Sequence, residues 1–203
     1  MKNKLLLILL TVMCISPMFA DTEVMVPSVS PEHFKLLDQI VQIQFGLLSK
    51  SNESQIEQEL KKLAERDTLA AIRYAMLIER TKQSESNKIW ATQFSALQQL
   101  AQKNNPQACL FLATAYRFGK VIERNSETAS QWRKKYLTLR KAALLKDDPC
   151  SMLEELVICL QRQSTIDANF TELLKKLQKN GSITATELLK RIKDEPQKLY
   201  YLC

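Results

Sequence analysis

The sequence predicts an all-α protein, an α/α solenoid of about eight helices packed as antiparallel pairs. Gly occurs only 3 times and Pro 6 times in 203 residues, which leaves few turns for a many-stranded sheet. Apolar residues recur at spacings of three and four, as one face of a helix requires. Candidate helix caps at Asp67, Asn105 and Asp148 lie 38 and 43 residues apart. A period near 40 with two helices per unit is typical of α-solenoids.

Residues 1–20 have the layout of a secretory signal peptide. Two lysines precede an apolar run over 5–15, and Ala20 offers a small residue for cleavage. The run is short for a bilayer span, and Cys14 lacks the small preceding residue that lipidation favours. We therefore expect export to the periplasm or the exterior, with no integral membrane span after cleavage. An uncleaved anchor is the alternative.

The charge of the chain argues against a nucleic-acid partner. The formal net charge is +7, from 29 basic and 22 acidic residues. Loss of the two lysines in residues 1–20 leaves 27 minus 22, or +5. These basic residues alternate with acids along the predicted helices, which is typical of a solvated surface.

Helix-start and helix-stop residues divide the first half of the chain. Ser30 followed by Pro31 is a favourable start, and Asp67 is a second candidate cap. The predicted elements are an extended lead over 21–30, a helix over 31–48, a helix from about Ser51 through Leu63, a helix over 68–78, a loop over 81–87 and a helix over 90–101.

The second half is divided in the same way. Asn105-Pro106 and Asp148-Pro149 each combine a cap with a proline in the first turn, and Gly181 is a left-handed stop signal. The predicted elements are a helix from 106, a long helix capped by Asn125 or Ser126 with an apolar stripe to Ala143, helices over 149–160 and 164–179, a last helix from a capping box at Thr184 and Glu187, and a tail over 196–203. The helical-repeat domain is therefore predicted over 31–195.

One stretch, residues 105–146, combines small residues, aromatic residues and a glycine-marked turn. These residues are Ala108, Leu112, Ala113, Tyr116, Gly119, Asn125, Ala129 and Trp132. The stretch resembles a Sel-one-like repeat, a relative of the tetratricopeptide repeat. The family usually has glycine where Val121 stands and places its paired alanines nearer the tryptophan. The match covers this unit well, and the units at 67–104 and 148–180 are degenerate. The resemblance implies a scaffold that binds other proteins, with small residues where helices approach and aromatic residues between them.

No pattern in the sequence predicts catalysis, a cofactor or a metal. The single histidine, His33, is expected on the surface at a helix start and cannot be matched with a nucleophile and an acid. The three glycines are isolated, so no phosphate-binding loop is indicated. Glu154 and Glu155 are adjacent on a helix and are expected to be solvated. The chain is therefore predicted not to be an enzyme.

Four cysteines follow the predicted cleavage site, which permits two disulfides in three connectivities. Cys150 and Cys159 would lie about 13 Å apart along one helix, too far to pair. We favour Cys109–Cys150, since both begin inner helices of successive repeats, and Cys159–Cys203 by remainder. Four free thiols are the alternative, because a free cysteine packs like a small hydrophobe.

A partner-binding groove is predicted on the concave side. The first helix of each unit lines that side in such solenoids, and residues two and nine places after Ala71 and Ala108 would project toward it, beside an aromatic residue in each unit. This composition suits an acidic protein or peptide segment. In the alternative, the two aromatic residues are core and the arginines are merely solvated. The predicted binding residues are Arg73, Tyr74, Arg80, Leu110, Phe111 and Arg117.

Two functions from different classes fit these observations. The first is an exported, non-catalytic protein–protein interaction module. The second is a structural subunit of a bacterial envelope or secretion assembly, associated with a membrane. A basic stripe on the long helix fits an acidic partner or an anionic surface, and the alternative that the charge pattern favours is a solvated outer helix face. The stripe comprises Arg133, Lys134, Arg140 and Lys141. Trp132→Ala is expected to cost roughly 3–5 kcal/mol, if that ring fills the central seam.

Overall fold

The computed structural model describes residues 28–162 and 167–194, and these residues are all-helical apart from their connections. The predicted signal peptide over 1–20 and tail over 196–203 lie outside the described residues. Within them there are nine α-helices and no strand, which confirms the all-α prediction with one helix more than expected. The helices are α1 (Pro31–Gln44), α2 (Glu53–Leu63), α3 (Thr68–Ile78), α4 (Gln83–Gln102), α5 (Pro106–Phe118), α6 (Ser126–Leu145), α7 (Pro149–Gln161), α8 (Ala168–Lys179) and α9 (Ile183–Asp194).

The helices pack mainly against their neighbours in sequence, as a solenoid requires. The most extensive contacts are α5 with α6, α3 with α4, and α8 with α9. Two further contacts break the one-dimensional pattern, because α1 also packs against α7 and α9. The first helix of the array therefore closes on the last.

The periodic caps that predicted the repeat are present. Asp67, Asn105 and Asp148 each accept a hydrogen bond from the backbone amide three residues later, at 3.0, 2.9 and 2.8 Å. Ser30 caps α1 in the same way, and Asn125 caps α6. Because each cap satisfies an amide that the helix leaves unpaired, these residues fix where the helices begin.

Three apolar clusters form the core. One joins α1, α7, α8 and α9; a second joins α3, α4, α5 and α6; a third joins α1, α2 and α3. Helix α1 contributes to two of them, since Leu37 and Val41 belong to the first and Leu36 to the third. This double role explains how one helix can bridge both ends of the array.

Some helix ends differ from the sequence predictions. Helix α1 ends at Gln44 and not near Leu48, and α4 begins at Gln83 within the predicted loop. Helix α8 begins at Ala168, after Asp167 as its cap. The amide of Ala185 donates to Ser182 Oγ, so Ser182 caps α9, and the capping box predicted from Thr184 is wrong.

The repeat signature is only partly buried. Ala108 and Leu112 are fully buried, and Gly119 ends α5 with φ of 70°, where a side chain would be strained. Trp132 and Tyr116 are half-buried. The fully buried tryptophan is Trp90 in α4, with 1% of its surface exposed. The central seam is therefore filled from α4, and the sequence analysis overestimated the role of Trp132.

Candidate functional site

The N-terminal segment crosses the starts of three helices. The Ser28 amide donates to Asp148 Oδ1 at 3.3 Å, and its carbonyl accepts from Asn105 Nδ2 at 3.2 Å. The Ser30 hydroxyl donates to Asp67 Oδ2 at 3.0 Å. The three caps therefore have a second task that their spacing did not reveal, which is to hold residues 28–30 in place.

His33 is buried at the same end of the array, which corrects the prediction of a surface position. Its side chain is fully buried, and Nδ1 lies 3.7 Å from Asp67 Oδ2, beyond hydrogen-bond distance. Burial by itself would raise the pKa of Asp67. The His33 ring, the Ala70 amide and the Ser30 hydroxyl outweigh burial and lower that pKa to about 2.

Asp38 fastens α1 to the start of α9. Its buried carboxylate accepts from Ser182 Oγ at 2.6 Å and from the amides of Ile183 and Thr184 at 2.8 and 3.2 Å. Gln42 Nε2 also donates to it, at 3.2 Å. A carboxylate at a helix N-terminus is favoured by the helix dipole and by the unpaired amides there. Asp38 thus acts as a cap contributed by a helix 145 residues away in sequence.

An inner cavity of about 320 Å³ lies where α1, α3, α6 and α7 meet. Six apolar side chains from α1 and α7 form much of its wall. Its polar lining residues come chiefly from α3, α6 and α7. It is lined by Leu37, Ile40, Val41, Gln44, Arg73, Tyr136, Cys150, Leu153, Glu154, Val157 and Ile158. Of the predicted binding residues, Arg73 lies here.

A polar network borders the inner cavity. Glu154 Oε1 accepts from Gln107 Nε2 at 2.7 Å, and Oε2 accepts from Tyr136 Oη at 2.9 Å and Arg140 Nε at 3.0 Å. Arg140 Nη2 also donates to Glu155 Oε2 at 2.6 Å. The two glutamates therefore hold α6 against α7, and their predicted role as solvated side chains is wrong. Burial and the charge of Glu154 raise the pKa of Tyr136, so its hydroxyl stays protonated as the donor.

The Cys109–Cys150 disulfide is absent. Both side chains are buried free thiols. They belong to different apolar clusters, Cys109 beside Ala101 in α4 and Cys150 on the inner cavity. Positions that are equivalent in the predicted repeat thus pack into different apolar clusters. The pairing of Cys159 with Cys203 falls on a residue outside the described part of the chain.

We expect both buried thiols to resist alkylation in the native protein. Burial raises the pKa of Cys109 to about 11 and raises that of Cys150 further, so at pH 8 about one Cys109 in a thousand would be a thiolate. Maleimide labelling mapped by mass spectrometry should modify each only after denaturant is added. Rapid native labelling, or a Cys109–Cys150 crosslinked peptide without reductant, would contradict this arrangement.

A basic cleft of about 280 Å³ lies between α5 and α6. Three arginines and three hydroxyl side chains line it, and no carboxylate does. Beside it the Phe118 ring is 62% exposed, with the Arg117 guanidinium carbon 5.4 Å from its centroid. The cleft is lined by Leu110, Ala113, Thr114, Arg117, Phe118, Arg124, Ser126, Ala129, Ser130 and Arg133.

The structure does not bring the six predicted binding residues into one groove. Tyr74 and Phe111 are core residues, 1% and 2% exposed, so they cannot present their rings to a partner. Arg80 is exposed but lines neither the basic cleft nor the inner cavity. Leu110 and Arg117 share the basic cleft. The single predicted groove is thus replaced by two separate concave sites.

No family model, curated protein or solved structure matches this chain. The Sel-one-like resemblance of residues 105–146 therefore stays a prediction. Among the described residues, no helix is long and apolar enough to cross a bilayer, and no group of three or more potential ligands is placed to hold a metal ion.

Sequence reasoning missed two arginines of the basic cleft. Arg124 precedes the α6 cap in the connection after Gly119, and Arg133 was assigned to a stripe on α6. One signal was available. Arg117 lies in the last turn of α5, and Arg124 lies in the connection that leads back to α6. A tight helix pair must therefore bring the backbones of these two residues near each other. The position of Arg133 two turns into α6 completes the set.

Proposed function

We propose that this protein is an exported, non-catalytic interaction module that binds an acidic protein or peptide segment in the basic cleft between α5 and α6. One observation carries the proposal. Three arginines converge on a concave surface that includes no carboxylate. Arginine forks bind carboxylates through paired, charge-assisted hydrogen bonds.

The surroundings of the basic cleft support a peptide ligand. Exposed Phe118 and half-buried Leu110 provide apolar contact area next to the charges, and arginine and aromatic residues are enriched among the residues that dominate binding energy. Arg124 and Arg133 form no ion pair in the described structure, so a ligand would not have to displace an internal partner. The proposal that the protein is exported rests on the signal-peptide layout of residues 1–20 alone.

Reversing two charges in the basic cleft should weaken binding of an acidic probe. The probe is a fluorescent peptide rich in Glu and Phe, with a Gln-for-Glu peptide for comparison. We expect Arg117→Glu with Arg133→Glu to weaken binding of the Glu peptide at least about tenfold, which is about 1.4 kcal/mol. Fluorescence polarisation at low and high salt measures this, because exposed charge interactions weaken as salt rises.

Arg66→Glu with Arg80→Glu is the matched control. It makes the same charge change at two exposed arginines outside the basic cleft and should leave the affinity nearly unchanged. Equal loss in both double variants would indicate a general effect of net charge. If a folded cleft variant binds as well as the wild type, the basic cleft is not the binding surface. Stable large complexes formed by the native mature protein would favour the structural-subunit alternative.

A further inference from the structure

We propose that the inner cavity between α1, α3, α6 and α7 binds a small ligand with an apolar chain and a carboxylate at one end. This site is separate from the basic cleft and does not depend on the function proposed for it. At about 320 Å³, the cavity is at the lower end of the range for small-molecule sites.

The wall of the inner cavity suits an apolar chain. Leu37, Ile40 and Val41 from α1 face Leu153, Val157 and Ile158 from α7 across it. Ile40, Val157 and Ile158 are only half-buried, so apolar area remains for a ligand to cover. Sites for small molecules typically combine such walls with a few polar groups that fix orientation.

Arg73 is the polar group that lacks acceptors. A guanidinium carries five N–H donors, and the structure gives Arg73 one hydrogen bond, from Nη2 to Gln107 Oε1 at 3.1 Å. Its Nε is buried without a hydrogen-bond partner. The Phe111 ring covers one face, with its centroid 5.3 Å from Cζ. Unpaired buried donors are costly, so an acceptor brought by a ligand would be favoured here.

No neighbouring group accepts a hydrogen bond from Arg73 Nε. Both oxygens of Glu154 are already engaged by Gln107, Tyr136 and Arg140. Burial lowers the pKa of Arg73, although nearby Glu154 opposes this, and the residue as a whole is partly exposed. The positive charges of Arg73 and Arg140 are balanced by the negative charges of Glu154 and Glu155 beside the inner cavity. A carboxylate is therefore selected because it gives paired, charge-assisted hydrogen bonds to the guanidinium. Excess positive charge is not what selects it.

Calorimetric titration of the full chain with octanoate tests the proposal, with 1-octanol and octylamine as probes of the same chain length. Octanoate should bind once per chain with Kd on the order of 1 mM or tighter. The alcohol should bind at least about tenfold more weakly, and the amine should not bind, because its ammonium group has only donors.

Two variants assign the site independently. Arg73→Met removes the donors, with Arg66→Met as the control at an exposed position. Val157→Phe fills the apolar end and keeps Arg73, with Ile89→Phe as the control at a half-buried position outside the cavity. We expect both cavity variants to lose octanoate binding and both controls to keep it. If Arg73→Met does not fold, Val157→Phe alone decides.

Three results would overturn the proposal. They are no octanoate binding at several times the expected Kd, equal binding of octylamine and octanoate, and unchanged octanoate binding by folded Val157→Phe. A failure of acidic peptides to bind the basic cleft would not contradict the proposal for the inner cavity, since the two sites share no lining residue.

Discussion

Asp38→Ala should lower the free energy of unfolding by about 3–5 kcal/mol, because it leaves several buried donors at the α1–α9 junction without an acceptor. The Ser182 hydroxyl and the amides of Ile183 and Thr184 would all lose their partner. Chemical denaturation measures the loss. Hydrogen exchange should show the first turn of α9 opening before the rest of the molecule.

Two variants bracket the Asp38 result. Asp38→Asn keeps one acceptor oxygen and should lose less stability. Glu57→Ala breaks an ion pair with Lys82 in which both side chains are more than two-fifths exposed, and it should cost less than about 1 kcal/mol. If Asp38→Ala changes stability no more than Glu57→Ala, the carboxylate does not hold α1 to α9.

Trp90→Ala should cost about 3–5 kcal/mol, the range for removing a fully buried aromatic side chain. Trp90 packs within the apolar cluster of α3, α4, α5 and α6 and is 1% exposed. The cavity left behind would open within a cluster that also holds the fully buried Leu97 and Leu112, and packed helices around it limit relaxation. Thermal and denaturant unfolding, followed by circular dichroism, measure the effect.

Trp132→Ala is the matched comparison, and it should cost only about 1–2 kcal/mol because the Trp132 side chain is only partly buried. Lys135 Nζ lies 5.5 Å from the centroid of that ring, and such a contact between partly exposed groups contributes little. If Trp132→Ala lowers the free energy of unfolding more than Trp90→Ala does, Trp132 fills the central seam, as the sequence analysis expected.

The sequence was sufficient for the helices and for several of their starts, since these depend on local chemistry. Caps such as Asp67 and Asp148 act on amides three residues away, and apolar spacing marks the buried face of each helix. Positions that depend on distant packing were not predicted. His33 is polar and follows a helix cap, yet docking of α1 buries it completely.

The candidate sites were predicted less well than the fold for the same reason. Periodicity within a helix separates buried from exposed faces, but it does not say which exposed face meets another element. Arg73 lines the inner cavity and not a groove shared with the other predicted binding residues, whereas Tyr74, the next residue, packs into the core of α1, α2 and α3. The cysteines show the same limit. Equivalent positions in the repeat placed Cys109 and Cys150 alike, but the two thiols enter different clusters.

The contact of α1 with α7 and α9 has a consequence for how the chain gains its structure. In an open repeat array each unit depends only on its neighbours, and folding can begin anywhere and spread. Here residues 28–38 bond to partners up to 146 positions later. Such distant pairings delay folding, because the loop must close before the contacts form. We therefore expect the array to complete its folding in one cooperative step, when α9 packs against α1.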